Sequence, residues 1–264
     1  MEYKKNLFTI EDNVGIISMN YPANLNAIDM EMVEELLSLL DECENNPEVK
    51  VVVIRSAGKA FSAGGDIGYF YKNIQAGGEI NMDDLIAKAG LVSLNIKKMS
   101  KMVVTSVNGA AACAGANLGL SGDFVVAAEN AKFIQAFVNL GLVPDTGGTY
   151  LLSKTVGPAR AMELCATGRP LPAAEAKEWG LVYQVCPKEE LEEQTMKLAK
   201  QLTKGPLVSY ASLKKQFFEA NYADYARYLA EGEVPTQSVC IASEDFKEGV
   251  CAFIEKRKAE FKGK

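Results

Sequence analysis

Two short runs of β-branched and apolar residues, Val49 to Ile54 and Met102 to Val107, constrain this chain most. Neither alternates with polar residues, so neither suits a strand with one face in water. Each reads as a strand buried on both faces, which in practice means a parallel sheet covered by helices. Helical text surrounds them. From Asp29, a good N-cap, apolar residues recur at Met32, Val33, Leu36, Leu37, Leu39 and Leu40 until Asn45-Asn46-Pro47 stops the helix. A second helix is predicted between Asp83 and Lys98, and another strand at Phe124 to Ala128. Leu7 to Met19 alternates around Asp12-Asn13, which predicts an opening hairpin. Strand and helix alternate, so the class is α/β. No fixed-period repeat or Gly/Pro/Ser linker divides the chain, and from Glu189 onward the text is nearly all helical, broken at Gly205-Pro206 and Val234-Pro235. The domain organisation expected is an α/β core over 1–200 with a helical segment over 201–264, packed on the core or on a neighbouring subunit.

Composition excludes several functions. The 264 residues contain no histidine, which removes Ser-His-Asp and Cys-His catalysis and the commonest transition-metal ligand together. Acid–base work then falls to Asp, Glu, Lys, Tyr or Cys. Six cysteines are scattered without C-x-x-C spacing and read as reduced thiols; no metal site is expected. A net charge of -6 argues against a nucleic-acid partner or an anionic membrane. No apolar run approaches the roughly 20 residues of a membrane span, and the start is charged, so a cytoplasmic protein is expected.

Glycine-rich loops follow both buried strands: Ser56-Ala57-Gly58-Lys59-Ala60-Phe61-Ser62-Ala63-Gly64-Gly65-Asp66-Ile67, and Asn108-Gly109-Ala110-Ala111-Ala112-Cys113-Ala114-Gly115-Ala116. Loops at the carboxyl ends of parallel strands are where α/β proteins place sites, and small residues let a ligand approach the main chain. Each loop runs into helical text, whose unpaired N–H groups favour a partial negative charge. Tight packing turns would read the same way. Neither loop carries the phosphate-binding G-x-x-x-x-G-K-[ST] or G-x-G-x-x-G pattern.

The phrase Lys59 to Ile67 resembles the crotonase (enoyl-CoA hydratase/isomerase) signature F-x-x-G-x-D, and Val107-Asn108-Gly109-Ala110-Ala111 resembles that family's second oxyanion loop. Further matches follow at Ala131-Lys132-Phe133, Gly141 to Thr149, Gly157-Pro158-Ala159-Arg160-Ala161, Glu175 to Val182 and Glu248 to Lys258, so the resemblance spans nearly the whole chain. It implies a spiral of β-β-α units with a C-terminal helical trimerisation segment. It also implies an acyl-CoA substrate, CoA being part of the substrate and no separate cofactor, and a homotrimer or dimer of trimers. By the resemblance, the N–H groups of Gly65 and Ala114 bind the thioester oxygen, the carbonyl of Ala63 receives the adenine amino group, and Phe253 and Lys256 reach a neighbouring subunit's CoA. Asp66, Asn117 and Phe137 complete the substrate-contact candidates: Asp66 is expected chiefly to cap or tie down the first loop, Asn117 reads equally as a polar helix-end residue, and Phe137 belongs to an apolar pocket around Asp145. Ala114 stands where the family usually has glycine, so it serves only if its backbone avoids φ > 0, which costs an alanine about 1 kcal/mol or more. Ala23 and Gly68 stand where lysines commonly flank the CoA phosphates.

Hydratases of this family use two glutamates where this chain has Asn117 and Phe137, neither of which is an acid or a base. One carboxylate remains at a position the family uses, Asp145 in Val143-Pro144-Asp145-Thr146-Gly147-Gly148. On sequence alone it fits a helix N-cap. By resemblance to Δ3,Δ2-enoyl-CoA isomerases with an acidic residue in the L-x-P-[DE] turn, it is the proton-moving base. Isomerisation is therefore the expected chemistry. The alternatives are hydratase-like chemistry, a phenylacetate-pathway ring isomerase, an aryl-CoA dehalogenase-like nucleophilic Asp145 (whose ester hydrolysis calls on a histidine this chain lacks) and a non-catalytic acyl-CoA-binding subunit.

Overall fold

The structure, a computed structural model, describes residues 3–78 and 80–264. The hairpin forms as expected: β1 (Asn6–Glu11) pairs antiparallel with β2 (Val14–Met19). β2 continues a six-stranded sheet with β3 (Val51–Ser56), β4 (Met102–Val107), β6 (Phe124–Ala128) and β9 (Gln184–Cys186), in the order β1-β2-β3-β4-β6-β9 and parallel beyond the hairpin. β5 (Ala110–Ala112), β7 (Lys132–Ile134) and β8 (Pro170–Pro172) form a second sheet, order β5-β7-β8.

Alternation along the buried strands divides the core. Val52, Ile54 and Val103 face one side with the helix Met30–Asn45, and Val51, Val53 and Val104 face the other, under the helix Leu191–Leu202. This two-sided burial is what the unbroken apolar runs require. The first strand is displaced from its expected start, because Val49 N–H donates to the Asn46 carbonyl in the turn and pairing begins only at Val51. Asp29 caps Met30–Asn45 as expected, its side chain accepting from Met32 N–H at 3.0 Å, a contact worth about 0.5–2 kcal/mol. From the middle of that helix, the buried Glu35 carboxylate accepts the main-chain N–H groups of Lys4, Lys5 and Asn6 and so anchors the start of β1.

Each turn of the chain repeats one plan: a long strand in the first sheet, a short extended piece in the second, then a helix. β4 and β5 lead to the helix Ala114–Leu120, and β6 and β7 to the helix Gly148–Val156. After β3 the extended piece is a single bridge, Ser62 to Ala111, followed by the helix Ile67–Gln75. This is the β-β-α spiral the resemblance implies.

The C-terminal helices differ from expectation at one place. Val234-Pro235 does not break the chain. A π-helical turn, Leu229–Glu233, runs straight into the helix Val234–Ile241 with Pro235 in its first turn. Proline lacks an N–H and its ring collides with the carbonyl one turn back, and the wider π turn accommodates both defects without ending the helical run. Among the described residues no helix is long and apolar enough to cross a membrane.

Candidate active site

The two glycine-rich loops leave β3 and β4 side by side and are tied to each other. Ala112 N–H donates to the Ser62 carbonyl (2.9 Å), Phe61 N–H to the Ala110 carbonyl (2.9 Å), and the Asn108 side chain joins Ser56 Oγ (2.7 Å) to the Gly58 carbonyl (2.9 Å). Asn26 braces the first loop from below, its Nδ2 donating to the Ala57 carbonyl at 2.8 Å. Gly64 is required at the crossing: its φ is +85°, and a Cβ there would lie 2.8 Å from the Ala112 carbonyl oxygen.

Ala114 is the first residue of the helix Ala114–Leu120. The positive φ that would have disqualified it falls instead on Cys113, at 49°. Both Gly65 and Ala114 line one narrow cavity, and among the described residues neither N–H donates to another protein group. The cavity, about 40 Å³, is walled by apolar side chains including Ile28, Phe70, Met82, Ile86, Phe137 and Leu142. Asp145 and Cys113 are the only titratable residues among those described along it, and burial pushes the Cys113 thiol up to about 12, which leaves Asp145 as the one group able to carry charge there near neutral pH.

The turn bearing Asp145 removes one of its two readings, the helix cap. The helix begins at Gly148 and its N-cap is Gly147, in the left-handed conformation, with no side-chain cap bond. Asp145 therefore does not cap the helix. Its Oδ1 accepts from Thr146 Oγ1 at 3.0 Å and its Oδ2 from Gln237 Nε2 at 3.2 Å. Burial pushes its pKa up to about 6 against the opposing pull of these hydrogen bonds.

Of the other residues expected to contact substrate, Ala63 and Phe137 line the cavity. Asp66 lies off its wall and caps the helix Ile67–Gln75, accepting from Tyr69 N–H at 3.0 Å and Asn24 Nδ2 at 3.1 Å. Asn117 is likewise placed behind the wall rather than toward a ligand. Both ends of its amide are used, Nδ2 donating to the Asp145 carbonyl (2.7 Å) and Oδ1 accepting from Gln135 Nε2 (2.7 Å), so it supports the Asp145 turn. Phe253 and Lys256 sit exposed at the end of the helix Glu244–Glu255, and neither lines the cavity. No group of three or more Cys, Asp and Glu side chains among the described residues is arranged to hold a metal ion.

Sequence reasoning missed Gln237 and Glu233. Gln237 bridges Val143 N–H, which donates to its Oε1 at 3.0 Å, and the Asp145 carboxylate; Glu233 Oε2 accepts from Gly147 N–H at 2.9 Å. The only local signal was a glutamate and a glutamine one helical turn apart, which nothing tied to a turn some ninety positions earlier.

Gly65 and Ala114, whose main-chain N–H groups are left free among the described residues, and one buried carboxylate line a single apolar slot, a set of groups chemically able to hold an oxygen that becomes anionic and to move a proton. The enoyl-CoA hydratase/isomerase family profile matches residues 9–264, and the chain belongs to that family. It is 35% identical to a trans-2-decenoyl-[acyl-carrier-protein] isomerase of Streptococcus mutans over 264 residues, 100% of each chain. It is 36% identical to a 1,2-epoxyphenylacetyl-CoA isomerase of Escherichia coli over 260 residues, 97% of each. The solved structure of an enoyl-CoA hydratase from Mycobacterium avium subsp. paratuberculosis superposes with a TM-score of 0.89 at 33% identity, covering 99% of this chain and 100% of that one. The fold is thus the crotonase fold.

Proposed function

We propose that the protein is a Δ3,Δ2-enoyl thioester isomerase with Asp145 as its base. The observation that carries this reading is that Asp145 is the only carboxylate among the described residues lining the cavity. The Asp145 carboxylate removes a proton from C2 of a 3-enoyl thioester. The electron pair moves onto the thioester oxygen, giving a dienolate held by the Gly65 and Ala114 N–H groups. The same carboxyl returns the proton at C4, leaving the double bond between C2 and C3. One group suffices for both transfers, and no water needs activating. A base poised by burial near pH 6 suits both halves of the cycle, ionised enough to abstract and acidic enough to give the proton back. Asn117 and Phe137, standing where hydratases have glutamates, favour isomerisation over hydration.

The expected result is that isomerisation of a 3-enoyl-CoA outruns hydration of crotonyl-CoA by at least about 10²-fold, the scale of one lost acid–base group. The two rates are measured side by side, with a 3-enoyl-acyl-carrier-protein as a third substrate because one relative is named for that carrier. Faster hydration would overturn the reading.

On this reading CoA binds with its adenine at the Ala63 carbonyl, while Phe253 and Lys256 serve the site of a neighbouring subunit. The helical segment 201–264 then mediates a homotrimer or a dimer of trimers, and the protein works in the cytoplasm. Phe253 is 58% exposed in the single chain, in keeping with a partner above it. Light scattering is expected to give three or six chains per particle, and a fully active monomer would sink the assembly proposal.

A further inference from the structure

Glu233 is 1% exposed, yet the proton-transfer scheme does not use it. It closes the π turn one helical turn before Gln237, and π turns recur at functional sites. Its Oε2 accepts the Gly147 N–H at 2.9 Å, while Oε1 has no partner among the described residues. Oε1 faces Gly90 of the helix Asp83–Lys98, where a built Cβ would stand in van der Waals contact at 3.5 Å. Gly147 lies against Tyr225, whose hydroxyl a Cβ would meet at 1.6 Å. Tyr225 in turn bonds Ser93 Oγ at 2.7 Å and stacks on Tyr150 with ring centroids 4.5 Å apart.

The titratable groups facing Glu233 are Asp145 on the turn and Tyr225 and Tyr228 on its own helical run; no cation is among them. A carboxylate buried with one bare oxygen, a like charge nearby and no counter-ion is far costlier than the same group as an acid. We propose that Glu233 is a positioning residue for the base, a neutral carboxylic acid that grips the main chain of the 145–148 turn from behind and leaves Asp145 as its single negative charge.

Together with Gln237 it holds the turn at both ends, Gln237 at Val143 and Asp145, Glu233 at Gly147. Burial, reinforced by the Asp145 charge, pushes its pKa up to about 9, in line with this geometry. Neutrality matters to the chemistry: a second charge beside Asp145 would raise that carboxyl further and leave less of it ionised at neutral pH.

The kinetic consequence rests on the isomerase reading, so the experiment has one arm that does not. Infrared difference spectra of the parent against Glu233→Gln at pH 7 are expected to show the carbonyl band of a protonated carboxyl in the parent and its loss in the variant. Absence of that band would overturn the proposal whether or not the protein is an isomerase. In the kinetic arm, Glu233→Gln keeps the shape and a neutral acceptor. Its kcat is expected within about threefold of the parent, with the acid limb of the pH profile moved by less than about 0.3 unit. A limb shifted down by about one unit would mean that a charge had been removed, and would equally overturn it. Glu233→Asp withdraws the acceptor by one methylene, and kcat is expected to fall at least about tenfold while KM stays within about twofold, as for a displaced catalytic group. An unchanged kcat would refute the positioning role. The infrared and acid-limb results on Glu233→Gln decide the proposal even if the Asp variant fails to fold.

Discussion

Asp145→Asn is expected to lower kcat for 3-enoyl-CoA isomerisation by about 10²–10⁴-fold, the range for loss of a general base, with KM within about twofold of the parent. The substitution keeps the local structure. Asn can turn its oxygen toward Gln237 Nε2 and its NH2 toward Thr146 Oγ1, reproducing both contacts of the carboxylate. The helix beyond does not depend on it, because Gly147 is the N-cap. Stability supplies a control with a definite sign. Burial raises the folded pKa to about 6, above the unfolded value of about 3.9, so the folded state holds this proton more tightly. That contribution is complete below the unfolded pKa and is lost as pH rises through about 6. At pH 8 the Asn variant, relieved of a buried charge, should therefore melt no lower than the parent, while at pH 4 its advantage should vanish. The parent's kcat should also rise with pH through a midpoint of about 6 that the variant lacks. If Asn retains more than about a third of the parent kcat, another group moves the proton.

The second large effect is expected from Ala114→Pro, which removes one N–H. Ala114 opens the helix Ala114–Leu120, where a first-turn N–H has no intrahelical partner and proline's fixed φ is well suited. The preceding Cys113, at φ 49° and ψ -126°, lies outside the extended region that proline favours for its predecessor, so the substitution also strains that residue and the rate is read together with the melting temperature. Loss of one oxyanion-hole donor typically costs about 10²–10³-fold in kcat, and that is the drop to be measured, with Ala114→Gly as a control that keeps the N–H and stays within about threefold. Melting temperatures of both variants guard against a folding effect. A Pro variant with near-parental kcat would exclude the Ala114 N–H from holding the thioester oxygen.

Much of the fold was legible because its signals are local. Unbroken apolar runs placed β4 and β6 correctly, and Asp29 and the apolar spacing after it placed the first long helix. The glycine loops marked the cavity, since a close approach of main chains leaves a mark in residue size. Polar contacts across the fold leave no such mark. Asn117 was placed toward a ligand when it is tied to Gln135 and the Asp145 carbonyl. Asp145 looked like a helix cap because Asp before Thr-Gly-Gly fits one, and only the observed start at Gly148 separates the two roles. Pro235 read as a stop because periodicity does not anticipate a π turn. Glu233 and Gln237 escaped for the same reason, since their importance lies in a packing partner far away in the chain.

The clasp of residues 229–241 on the turn at 143–148 also bears on the order in which the nascent chain becomes competent. Gly65 and Ala114, the donors of the proposed oxyanion hole, and the loops that shape them are encoded before residue 120. Synthesis must run more than a hundred residues further before Gln237 can fix the carboxylate. On the proposed mechanism the parts that cradle an anionic oxygen are thus written early in the chain and the support of the proton carrier late, so a product truncated before the last forty residues or so would lack that support while keeping the cradle's parts.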